Sequence, residues 1–145
     1  MAVEENKAIA RSIFEDGLNR GDVDTIANLT APDFVDHDIH VQTGVPGGPE
    51  DMRAALIAIR RGFPDIHVTV EDLIAEGEKV VVRNTWRGTH RGEFNGIPAT
   101  GQRVEITGIV IWRIANGLIA ERWATIDTLT LLRQLGVLPM TQAVR

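Results

Sequence analysis

The chain reads as an α+β domain, helices first and then a meander of long antiparallel strands. Three observations predict this class. Apolar residues recur at helical spacing from Val3 to Asn19 and again from Met52 to Ile59. After Pro64 the apolar period changes to two. Asn116-Gly117, between two of the alternating runs, is the signature of a two-residue hairpin turn.

Each element follows in order. In the first helix Ile9, Ile13, Phe14 and Leu18 share a side, and Gly21 lies just past the end. Asp22 is placed to cap a short second helix carrying Val23, Ile26, Ala27 and Leu29. The stretch "APDFVDHDIH" begins as a turn and then extends through Phe34 and Val35. "QTGVPGGPEDM" is a loop whose Pro49, Glu50 and Asp51 start a third helix. That helix runs through Met52, Ala55, Leu56 and Ile59 to Gly62, and Pro64 prevents its continuation. Four strands follow: "IHVTVEDLIA", "KVVVRNTWRGTH", "RVEITGIVIWRIA" and "LIAERWATID". "RGEFNGIPATGQ" makes a longer, Gly-rich hairpin connection. The sheet is expected to have one face covered by the helices.

Composition bounds the function. The 145 residues suit a single domain, 1–145, with a real core. A net charge of −5 with no basic cluster argues against nucleic acid as a partner. The absence of Cys excludes disulfides, thiolate nucleophiles and Cys-ligated metals. The N-terminus is neither a signal peptide nor a membrane span, so no membrane partner and a cytoplasmic location are expected. No Gly-rich phosphate loop or nucleophile elbow is present. Without Tyr, enolate stabilisation falls to His, Asn, Arg, indole N–H or backbone donors.

The hairpin serves as a ruler for the last two strands. Counting outward from Ala115 and Leu118 puts Ile106, Gly108, Val110 and Trp112 on one face with Ile119, Glu121, Trp123, Thr125 and Asp127. The other face then carries Thr107, Ile109, Ile111 and Arg113 with Leu118, Ala120, Arg122, Ala124 and Ile126. The first face mixes tryptophans with carboxylates, which suits a small-molecule cavity; the second suits a subunit contact.

Asp127 is the leading candidate for a base, since an apolar, Trp-lined pocket disfavours a charged carboxylate and raises its basicity. Its position before Thr128 equally makes it the N-cap of a last helix. His37, flanked by Asp36 and Asp38 and followed by His40, is expected to line a cleft through hydrogen bonds rather than to bind a metal. His90 sits at a strand end between Gly88 and Gly92, either solvated or facing a ligand. Arg83 and Arg113, inside apolar strands, each require a carboxylate partner. Trp86, Trp112 and Trp123 are core residues or walls of an aromatic pocket, with Arg83 and Thr125 as further substrate-binding candidates.

The ordered segments "FVDHD", "GTHRGEFNGIPATG" and "NGLIAERWATIDTLTLLRQLG" resemble the SnoaL-like polyketide cyclase family, within the nuclear transport factor 2 (NTF2)-like and ketosteroid isomerase-like group. The resemblance spans about Asn6 to Pro139. It implies a cone-shaped α+β barrel, with a strongly curved antiparallel sheet wrapped round the N-terminal helices. It also implies a cofactor-independent, metal-free aldol ring closure on a hydrophobic carbonyl compound, in a homodimer or homotetramer. The family's acid/base aspartate matches Asp127, and its two histidines match His37 and His90. Two other readings stand beside it: an epoxide-type hydrolase with an Asp–Arg–Asp set built on Arg83 or Arg113 and Asp127, and a non-catalytic binder of a hydrophobic small molecule.

Overall fold

A computed structural model of the chain describes residues 2–38 and 47–139. His40 and the start of the expected 42–52 loop lie outside them. Helix α1 (Ala2–Ser12) runs into a π-helical segment, Ile13–Asn19. Ile13, Phe14 and Leu18 of that segment are buried. Gly17 is bare for a reason: a Cβ there would stand 2.9 Å from Ile26 Cγ1, so the next helix packs on its backbone. Asn19 closes the segment by bonding both backbone groups of Val68, donating to its carbonyl (2.9 Å) and accepting from its N–H (2.7 Å). Gly21, at φ +78°, lets the chain reverse into α2 (Val23–Asn28). Asp22 stands at the N-cap of α2, but its side chain makes no capping bond, contrary to the expectation.

Strand β1 (Thr30–Asp36) is followed by α3 (Gly48–Gly62), β2 (His67–Glu76), β3 (Lys79–Thr89), β4 (Arg103–Ala115), β5 (Leu118–Ile126) and α4 (Thr128–Gln134). The four expected strands and the three expected long or short helices are present. The sheet order is β1-β5-β4-β3-β2. Two features differ from a closed antiparallel barrel. β1, expected to open as a turn, joins as an edge strand parallel to β5, so the sheet is mixed. Among the described residues the sheet also stays open, with β1 and β2 at its edges.

Asn116 and Gly117 both take positive φ, 53° and 76°, as a turn matched to strand twist requires. The pairing Ala115–Leu118 and Ile114–Ile119 follows the ruler. It then slips: Arg113 faces Glu121, and Ala120 is left over as a bulge. Because the side-chain period is two, one extra residue turns the rest of β5 over. The face assignment made from the turn is therefore corrected. Arg122, Ala124 and Ile126 share the inner face with Trp112, Val110 and Gly108, while Glu121, Trp123, Thr125 and Asp127 lie outside with Arg113, Ile111 and Ile109. The inner face packs on the helices through Phe14, Leu18, Ile26, Met52 and Leu56 against Val68, Val80, Val82, Val110 and Ile114.

Candidate functional site

On β3, alternation sends Val80, Val82, Asn84 and Trp86 inward, opposite Trp112, Val110, Gly108 and Ile106 of β4. Phe14 reaches this wall edge-on, with ring centres 5.9 Å from Trp86 and 6.2 Å from Trp112. Trp86 Nε1 donates to Asn84 Oδ1 at 2.7 Å. Asn84 is 0% and Trp112 3% exposed. Asn84 Nδ2 and Trp112 Nε1 make no hydrogen bond. Two of the three predicted tryptophans thus contact Phe14 from the inner face, with the buried amide of Asn84 beside Trp86.

His90 continues the same alternation past the end of β3 and is 0% exposed, not solvated. Its backbone is held by Gln102 and Gly101, and its ring stacks on Phe63 at 5.3 Å. Asp65, from the turn after α3, fixes the neighbouring Thr89 through its N–H and hydroxyl, both at 2.7 Å. Those two bonds hold the Asp65 carboxyl below the usual aspartate range. His90 Nδ1 lies 3.0 Å from the Thr100 hydroxyl and accepts the Thr100 backbone N–H at 3.2 Å. An N–H donating to Nδ1 assigns the ring proton to Nε2 from the hydrogen-bond network. That Nε2–H is buried and unpartnered.

A third group forms where β1 meets β5. Arg122 Nη1 donates to both oxygens of Asp36, at 3.0 and 3.1 Å, and to Asp38 Oδ2 at 3.2 Å. The Asp38 backbone N–H also bonds Asp36 Oδ1. The Arg122 guanidinium lies 5.8 Å from the centre of the Trp112 ring, which ties this cluster to the inner wall.

The remaining predicted residues lie on the outer face. Asp127 is exposed and caps α4, its carboxylate accepting the Thr130 N–H at 3.1 Å and the Thr130 hydroxyl at 2.7 Å. The hydroxyl bond first, then the N–H bond, hold its pKa below the usual aspartate value. The expected rise in basicity is therefore reversed, because the carboxylate meets donors and solvent rather than an apolar wall. His37 donates from Nε2 to Glu121 (2.9 Å) and stacks on Trp123 at 4.8 Å. Lys79 covers the same indole. Glu121 also accepts from Arg113, whose hydrogen bond, ahead of that from His37, lowers the Glu121 pKa; the same bond raises that of Arg113. Arg83 pairs with Asp72 at 2.6 Å, and Thr125 is exposed.

The sequence held signals for the residues it did not single out. Asn84 interrupts an apolar strand two positions before Trp86, where Asn is disfavoured. Asp36 and Asp38 entered only as neighbours of His37. Arg122 was assigned to the opposite face, and no local pattern marks a bulge at Ala120.

No helix among the described residues is long and apolar enough to cross a membrane. The sequence model of the SnoaL-like polyketide cyclases matches residues 8–135. The search of curated proteins gives no match. Among solved structures, TsrD from Streptomyces laurentii is 32% identical, covering 93% of this chain and 97% of its own, with a TM-score of 0.82. AclR from Streptomyces galilaeus, described as "a putative hydroxylase", is 30% identical over 97% of this chain and 87% of its own, TM-score 0.81. IdmH from Streptomyces antibioticus, described as "a putative polyketide cyclase", is 34% identical over 90% and 98%, TM-score 0.75. With the family pattern spanning nearly all of the described residues and the same fold in these relatives, the chain belongs to the SnoaL-like polyketide cyclase family.

Proposed function

We propose that the protein is a cofactor-independent enzyme that closes a ring by intramolecular aldol condensation on a hydrophobic molecule bearing carbonyl groups. The observation that supports it is the buried, unpartnered Nε2–H of His90, locked by Thr100. In the reaction a base removes a proton from carbon next to one carbonyl. The enolate carbon bonds to a second carbonyl carbon of the same molecule and the alkoxide takes up a proton, giving a ring aldol with no atoms lost; where that aldol goes on to the conjugated enone, its hydroxyl and an adjacent hydrogen leave as one water. His90 donates to the oxygen that gains charge. Phe14, Trp86 and Trp112 hold the apolar body. Asp127, which opens to the other face, is not the proton acceptor in this reading, and the Asp36–Arg122–Asp38 cluster, set beside Trp112 about ten residues along the strands from His90, closes the far end of the site. His37 is given a positioning role for Glu121 and Trp123.

The test uses 1-phenylhexane-1,5-dione, which cyclises and dehydrates to a conjugated enone followed by absorbance. The wild type is expected to accelerate cyclisation, and His90→Gln to lower kcat roughly 100-fold while keeping its melting curve. No acceleration, or unchanged turnover in His90→Gln, overturns the proposal.

The Asp36–Arg122–Asp38 arrangement favours a second reading, water-assisted opening of an epoxide. Arg83 and Arg113 do not join Asp127 in such a set, since Arg83 pairs with Asp72 and Arg113 with Glu78 and Glu121 on the outer face. Hydrolysis of styrene oxide without cyclisation of the diketone selects it. Ligand binding with neither turnover selects a non-catalytic binder.

Two copies of the chain meet, in this proposal, through the outer face of the sheet. Ile109 and Ile74 are 48% and 64% exposed there. The flanking charges are already paired, Arg83 with Asp72 and Arg87 with Glu105, so an opposing copy meets few unneutralised charges.

A further inference from the structure

We infer that Asn84 is the specificity residue that reads an acceptor oxygen of the bound molecule from the middle of the inner sheet face. The inference rests on the reading of that face as a ligand site and names what the ligand must carry there. Tryptophan Nε1 is a donor only, so its 2.7 Å bond from Trp86 settles which end of the Asn84 amide is oxygen. The NH2 end then points away from Trp86. It is fully buried and makes no hydrogen bond. Polar groups in protein interiors are bonded in the great majority of cases, so an orphan of this kind calls for a partner.

The chemistry of the orphans is one-sided. Among the described residues the buried side-chain atoms without a partner are Asn84 Nδ2, His90 Nε2 and Trp112 Nε1. All three are donors, given the His90 tautomer. Their complement is an oxygen acceptor, not a cation or an amine. Asn84 is closely packed on its oxygen side. Its pair partner is Gly108, where a Cβ would stand 3.1 Å from Asn84 Oδ1 and 2.6 Å from Ile126 Cδ1. Phe14, Trp86 and Ile126 make the surroundings apolar. The ligand at this point is an apolar skeleton carrying a ketone-type oxygen.

The test compares 9-fluorenone with fluorene, the same flat skeleton without the oxygen, by tryptophan fluorescence quenching and by the infrared carbonyl stretch of the bound ketone. The wild type is expected to prefer fluorenone about tenfold, the worth of one neutral hydrogen bond, and to lower its stretch. Asn84→Leu and Asn84→Asp both remove the Nδ2 donor, and Asp keeps an acceptor for Trp86. In both, the preference and the shift should vanish while fluorene affinity stays the same. A wild-type stretch with no downshift, or a preference kept in either variant, overturns the inference without any appeal to turnover. Equal affinity for ketone and hydrocarbon removes Asn84's role and leaves the face as a ligand site. Failure of both to bind the wild type removes both claims. An Asn84-dependent shift with no cyclisation of the diketone removes only the aldol reading.

Discussion

Arg113 pairs with Glu121 across the β4–β5 hairpin, although the tight turn alone would set it opposite Ala120. That single slip decides which side chains of β5 see the helices and which see the outside.

The pair makes stability depend on acid. The Glu121 carboxyl is held below its ordinary pKa chiefly by Arg113, then by His37. A group with a depressed folded pKa contributes fully above its unfolded value, about 4.3 for Glu, and loses that contribution as pH falls through the folded value. Urea denaturation across this range should show Glu121→Gln less stable near neutral pH, with a shallower loss on acidification. Parallel acid profiles for the two proteins would sink the assignment.

Asp127 acts as the cap of α4 through Thr130. Asp127→Ala should lower the melting temperature, while Asp127→Asn, also a good N-cap, should recover most of it. Its depressed pKa means the cap is strongest above the usual aspartate range and weakens as pH falls below it. Diketone cyclisation should survive in Asp127→Asn; its loss there, with an unchanged melting curve, would restore Asp127 as the base.

Arg122 neutralises two largely buried carboxylates. Arg122→Met removes the cation that Asp36 and Asp38 share, at an expected cost of about 3 kcal/mol in urea unfolding. Adding Asp36→Asn to that variant should return part of the loss. A double variant no more stable than the single one would show that the cluster is not coupled through charge.

The outer face supplies the last expectation. Ile109→Lys introduces like charges where two copies would meet, and sedimentation should show the variant as a monomer while the wild type is a dimer or larger. A monomeric wild type would remove the interface.

Much of the fold is legible in the residues. The period change after Pro64, the Asn116-Gly117 turn and the caps around α3 and α4 are local effects, set within a few residues of one another. The place of Trp86 and Trp112 in the core was legible too, whereas the burial of His90 was not, since a strand end between two glycines reads equally as solvated. β1 was not, because a parallel edge strand draws its pairing from β5, some ninety residues away. The Asp36–Arg122–Asp38 cluster was hidden for the same reason.

By itself, then, the sequence determined the element types, their order, the hairpin turn and the family resemblance, all carried by short-range backbone preference and side-chain alternation. Only the tertiary structure decided the faces. A bulge at Ala120 costs nothing in local pattern, yet it puts Arg122 inside with Trp112 and turns Trp123 and Asp127 outward. Ile119 and Ala120 are both buried, and Ile119 pairs with Thr30 of β1 and donates to the Leu29 carbonyl, contacts between residues far apart in the chain.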